Sequence, residues 1–147
     1  MTADEFLKKQ NRVKRAMKAY SAYKEMFSHV ILKFKEQLQT NNDYNVKIID
    51  SKETSLSFQF LDNRIEMMLT IVIDQDDNVY SKINFNLIID ANNSVNIGAL
   101  YLDDDQILKD SITETKDYLE LDNAKITLYI LTVVLDKLLN LKCFKYE

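Results

Sequence analysis

Residues 55–73, SLSFQFLDNRIEMMLTIVI, decide the fold. Apolar side chains take every second place at Leu56, Phe58 and Phe60, and again at Ile65, Met67, Leu69, Ile71 and Ile73. A period of two is that of a β-strand with one buried face and one wetter face. Between the runs stands Asp62-Asn63, residue types that tolerate the positive backbone angles of a tight hairpin. The alternation returns at Ile83, Phe85, Leu87 and Ile89, and more weakly at Val95, Ile97 and Ala99. Val46 and Ile48 mark a short first strand. The turns at 75–78 and at Asn92-Asn93 are as short as the first. None has room for a crossover helix, so neighbours in sequence pair antiparallel, and the expected sheet is a five-stranded meander.

One helix is expected before the sheet in the chain and one after it, the first packed over or beside the second. Over residues 4–38, Val13, Ala16, Tyr20, Tyr23, Phe27, Val30 and Phe34 follow alternating spacings of three and four, one face of an α-helix. The helix runs to about residue 40, where Asn41, Asn42 and Asp43 stop it. At about 1.5 Å per residue it is roughly 50 Å long, so it crosses a wide sheet, projects at one end, or pairs with a second copy. A second helix is expected from residue 124 to about 141, capped by Asp122 or Asn123. It is apolar over most of its circumference and so is buried on more than one side, against the sheet. Residues 103–121 read least clearly: Asp103, Asp104 and Asp105 suggest a solvated loop, and 107–118 a short helix or turn. The expectation is a single α+β domain over 1–147, with a long N-terminal helix, the meander and a buried C-terminal helix on one face of the sheet.

Composition removes several function classes. One glycine, Gly98, cannot supply a Gly-rich phosphate loop or a dinucleotide fingerprint. One cysteine, Cys143, excludes an intrachain disulfide framework and a multi-cysteine zinc site. The start of the chain lacks the apolar core of a secretory signal. The apolar run at 126–135 is far shorter than the roughly 20 residues that span a bilayer. The expectation is a soluble, cytoplasmic protein without membrane association. Abundant Asn, Asp, Lys and Ile with no Pro or Trp suggest a low-GC genome, such as that of many bacteria and their mobile elements. The net charge of −4 is unevenly spread. Residues 1–24 hold seven basic and two acidic side chains, a local +5, and the remainder carries −9.

That basic segment is the first candidate surface. Lys8, Arg12 and Arg15 recur at helical spacing with Lys14 and Lys18 nearby, a set that can bind an acidic protein partner or the phosphates of nucleic acid. An ordinary solvated helix face accounts for the same residues. The second candidate is the outer sheet face, where Ile49, Met68, Val72, Ile88, Leu100 and Leu102 fall out of phase with the core. Met68, Val72, Ile88 and Leu100 are expected to form a protein interface, a homodimer being one form of it. No catalytic residue, metal or cofactor is expected. His29 falls on the polar side of the first helix, and Cys143 is a nucleophile only if His29 approaches it. Asp74, Asp76 and Asn78 alternate like the start of a calcium loop, but Val79 stands where its glycine belongs and Phe85 where its final glutamate belongs. The leading expectation is a non-enzymatic interaction protein: an adaptor, inhibitor, immunity factor or chaperone. Nucleic-acid binding through the basic helix is the second, and a ligand-binding or enzymatic cup between helix and sheet the third.

Overall fold

The computed structural model describes every residue except 42, 111–117, 121–122 and 142–147. Cys143, and Asp122 as a helix cap, lie outside the described residues. Helix α1 (Ala3–Thr40) is followed by β1 (Val46–Ser51), β2 (Ser55–Phe60), β3 (Asn63–Ile73), β4 (Val79–Asp90), β5 (Asn93–Leu102), β6 (Ile107–Lys109) and β7 (Tyr118–Glu120), then helix α2 (Ile126–Asn140). The fold is α+β. The strands form one curled antiparallel sheet in the order β1-β2-β3-β4-β5-β6-β7.

The meander therefore has seven strands where five were expected. The two added strands, β6 and β7, lie in the region 103–121 that read least clearly, β6 where a short helix or turn was expected, and they pair Leu108 with Leu119. Three residues per strand are too few to display a period of two. The β2–β3 turn lies one residue earlier than expected. Phe60 pairs with Asn63, and Leu61 and Asp62 both take left-handed angles, φ 49° and 62°. This is the two-residue hairpin geometry whose twist matches that of the flanking strands.

The concave face of the sheet is filled from above by α1 and α2. Tyr23, Phe27, Val30 and Phe34 of α1 meet Leu56, Phe58, Ile65 and Met67 of the sheet. Phe34 and Phe58 pack with ring centroids 5.3 Å apart and planes tilted by 52°. Ile130, Val134 and Leu138 of α2 close the side nearer β5 to β7. Each large apolar side chain buried in this way contributes about 1.5–3 kcal/mol. Helix α2 has no side-chain cap of its own. Gln37 of α1 supplies one: its Oε1 accepts from the Thr127 backbone N–H at 3.0 Å, and its Nε2 donates to the Ala124 carbonyl at 2.8 Å. The entry turn is held separately by Asn123, whose side chain accepts from the Lys125 N–H at 2.9 Å.

Strand β5 carries the main departure from the alternation read in sequence. Phe85 pairs with Gly98 and Asn86 with Asn96, so Ile97 is left over as a bulge. Beyond it the phase reverses. Leu100 and Leu102 lie opposite Ile83 and Ser81 and point into the core, Leu100 with 1% of its surface exposed. Leu100 is thus a core residue and is removed from the expected outer-face interface. At the bulge Gly98 adopts φ 152°, and the side chain of Lys137 crosses directly above it.

Candidate functional site

The first half of α1 leaves the body of the protein. At Tyr23 the helix is buried against the sheet, whereas Phe6, Val13 and Met17 are 61%, 57% and 66% exposed. Val13 and Tyr20, which the helical spacing assigned to a core-seeking stripe, are therefore on the surface. The stripe predicts an apolar face and does not say what covers it. The free end is nonetheless a finished helix terminus. Thr2 Oγ1 accepts from the Glu5 N–H at 3.2 Å, and a Glu5 carboxylate oxygen accepts from the Thr2 N–H at 3.2 Å. Such a capping box satisfies donors that would otherwise fray the first turn, an effect of about 1 kcal/mol.

Among the described residues, the β3–β4 turn pairs with this arm. The β3–β4 loop folds around Asp74, whose carboxylate accepts from the backbone N–H groups of Asp76 and Asn78, both at 2.9 Å. Backbone and side-chain donation from Asn78 holds the Asp74 carboxyl below its usual range. The alternating residues that resemble a calcium loop thus close a hairpin turn. The turn presents Asp77 in the left-handed conformation, φ 60°. Asp77 takes both arginines of the arm: Arg12 Nη2 lies 2.9 Å from Asp77 Oδ1, and Arg15 Nη2 donates to the Asp77 carbonyl at 2.8 Å. The pairs are exposed, so each adds little to stability; the arm is an unbroken continuation of the buried half of the helix.

Between arm and sheet end lies an open groove of about 640 Å³, lined by Arg15, Lys18, Tyr23, Asp74, Tyr80 and Asp103 among others. Asp103 is already engaged: it accepts from the N–H groups of Asp105 at 3.0 Å and Ile107 at 3.1 Å, and pairs with Lys109 Nζ at 2.8 Å. Carboxylate oxygens of Asp103, Asp104 and Asp105 lie within 4.8 Å of one another. The Tyr23 hydroxyl donates to the Val79 carbonyl at 3.2 Å. Burial, then the charges of Asp104 and Asp103, push its phenol up from 10.0 to about 12. The folded state thus holds a proton that the unfolded state loses above about pH 10, so stability falls as pH rises from 10 towards 12. Over that interval Tyr23→Phe should flatten the loss of stability by about 1 kcal/mol, solvent screening of the partly exposed hydroxyl reducing the full effect of the shift, at the cost of about 1 kcal/mol at neutral pH for the lost hydrogen bond. Urea midpoints measured across this pH range check both effects; parallel curves for the two proteins would contradict them.

The expected basic set is exposed along α1 but differs in its pairing. Arg12 and Arg15 are committed to Asp77, while Lys8, Lys14 and Lys18 make no ion pair among the described residues. His29 is exposed, on the polar side as expected. On the outer sheet face Met68 is 38% exposed, and Val72 and Ile88 are partly buried. Between them runs a polar network: Asn84 donates to Thr70 Oγ1 at 3.0 Å and Asn96 to Asn86 Oδ1 at 3.2 Å. The three apolar residues left by the removal of Leu100 are therefore scattered rather than contiguous. Phe6 and Met17 were not singled out in the sequence, although Phe6 stands seven residues before Val13. No helix among the described residues is long and apolar enough to cross a membrane. Comparison of the chain with protein-family models, with curated proteins and with solved structures finds no match.

Proposed function

We propose that this chain is a cytoplasmic, non-enzymatic protein-interaction module, an adaptor, inhibitor, immunity factor or chaperone, that engages its partner through the projecting half of α1. The observation that carries this reading is the row Phe6, Val13, Met17 and Tyr20, apolar and exposed on a capped and braced helix. An uncovered apolar stripe adds nothing to the stability of the helix that carries it and marks an interaction surface. A partner that covers the stripe supplies the missing packing. The interior supports a cup less well, because Phe27, Phe34, Phe58 and Phe85 fill the space between helix and sheet. Nucleic-acid binding is the second reading, favoured by the +5 of residues 1–24. Against it stands the engagement of both arm arginines, the side chains best suited to phosphate, by Asp77.

The test is a pull-down from source-cell lysate with the tagged full chain, with and without nuclease. A variant carrying Phe6→Gln, Val13→Gln and Met17→Gln is run beside it, its fold checked by circular dichroism. A near-stoichiometric protein that survives nuclease and is lost with the variant is the expected result. Nucleic acid recovered equally by both chains, and lost on Lys8→Gln, Lys14→Gln and Lys18→Gln, would transfer the function to the second reading.

A further inference from the structure

Resting on that reading, we infer that the partner element is an acidic amphipathic α-helix, seated along the arm as a short coiled-coil seam. The spacing of the exposed residues carries the inference. Phe6, Val13 and Tyr20 stand seven apart, and Gln10 and Met17 fall four residues after the first two. This is the d and a pattern of a heptad, a narrow seam suited to one facing helix. Counting about 100° per residue, these side chains span less than a quarter of the circumference, with exposed Leu7 widening the apolar face on the side of Lys14. The row is also continuous with packing the protein already uses, since Phe27 and Phe34 extend the same seven-residue series into the core. Gln10, the polar residue at an a position, suits a seam of defined register.

Charge selects the occupant. In this register the positions flanking the seam include Lys9 on one side and Lys14 on the other. Neither makes an ion pair among the described residues. Flanking charges of this kind set partner choice in paired helices. A parallel second copy would bring Lys9 of one arm against Lys14 of the other, like charges that repel, and an antiparallel copy would oppose the same basic flanks. A partner helix with Glu or Asp beside its own apolar seam meets both lysines with opposite charge. Arg12 and Arg15 lie on the far side, bound to Asp77, while the seam faces outward.

The probe is a pair of fluorescein-labelled synthetic peptides of three heptads, with Leu at a and d, one with Glu and the other with Lys at e and g. Anisotropy titrations with the full-length chain should show saturable binding of the acidic peptide, weakening with salt, and roughly tenfold weaker binding of the basic one. Lys9→Glu with Lys14→Glu should reverse the preference. Phe6→Gln, Val13→Gln and Met17→Gln should abolish binding of either peptide while the far-ultraviolet spectrum is retained. No binding, or equal binding of the two peptides, overturns the inference. So does dimerisation of the chain alone by sedimentation equilibrium that the triple change abolishes, and so does binding to phosphatidylglycerol vesicles without binding to the peptide. A pulled-down protein lost with the triple change yet indifferent to the charge reversal leaves the interaction reading standing and removes the acidic helix from it.

Discussion

Phe34→Ala should lower the unfolding free energy by about 3–5 kcal/mol, while Phe6→Ala, the same substitution on the same helix, should change it by less than about 0.5 kcal/mol. Phe34 has 0% of its surface exposed and Phe6 has 61%. The Phe34 ring fills the space where α1 crosses the sheet and contacts Phe58. Its removal loses the transfer free energy of the ring and leaves a cavity between a helix and a sheet, neither of which can collapse far. Phe6 reaches water in both folded and unfolded states, so its loss is nearly neutral for stability. Urea midpoints with an unchanged denaturant slope would check the contrast. A cost below about 1 kcal/mol for Phe34→Ala would mean that α1 is held to the sheet by something other than this packing.

Gly98→Ala should cost about 1–3 kcal/mol, and the backbone should account for most of it. Two effects compete at this position. The φ of 152° is one that a residue with a Cβ rarely adopts, and an added Cβ would lie 2.6 Å from Lys137 Cε and 2.9 Å from Cδ. The lysine stem is flexible and can swing away, whereas the bulge angle is fixed by the pairing of Phe85 and Asn86 on either side of Ile97. A double-mutant cycle with Lys137→Ala separates the two. Rescue of less than about 1 kcal/mol is expected; full rescue would put the penalty in the side-chain contact instead.

These two positions also mark what could be read from the sequence. Strands β2, β3 and most of β4 were legible because their buried side chains alternate with polar ones for whole strands. Leu100 was misassigned because one bulge residue, Ile97, inverts everything after it, and a bulge leaves no mark on composition. The helix α1 was legible through its stripe, but the boundary between its buried and exposed halves near Tyr20 was not. That boundary depends on where the sheet ends. Arg12 and Arg15 were found as basic residues, but their acceptor, Asp77, is more than sixty positions away, and local spacing carries no information about it. The cap that Gln37 provides to Thr127 was hidden for the same reason.

The order of the strands has a consequence for how the chain comes to be made. Every strand pairs with the one just before it, so each hairpin can close as soon as its second strand emerges, with little loop entropy to overcome. Helix α1 is synthesised before any of its sheet partners, and its apolar stripe must wait for β2 and β3. Helix α2 follows every strand, yet Ile130, Val134 and Leu138 cover the side of the sheet nearest β5. During synthesis the meander therefore stands half covered, with Leu100, Leu102 and Leu108 open to solvent until the final turns of α2 arrive. A chain whose synthesis stops before α2 therefore presents a formed sheet with a bare apolar flank, the kind of surface from which misassembly starts.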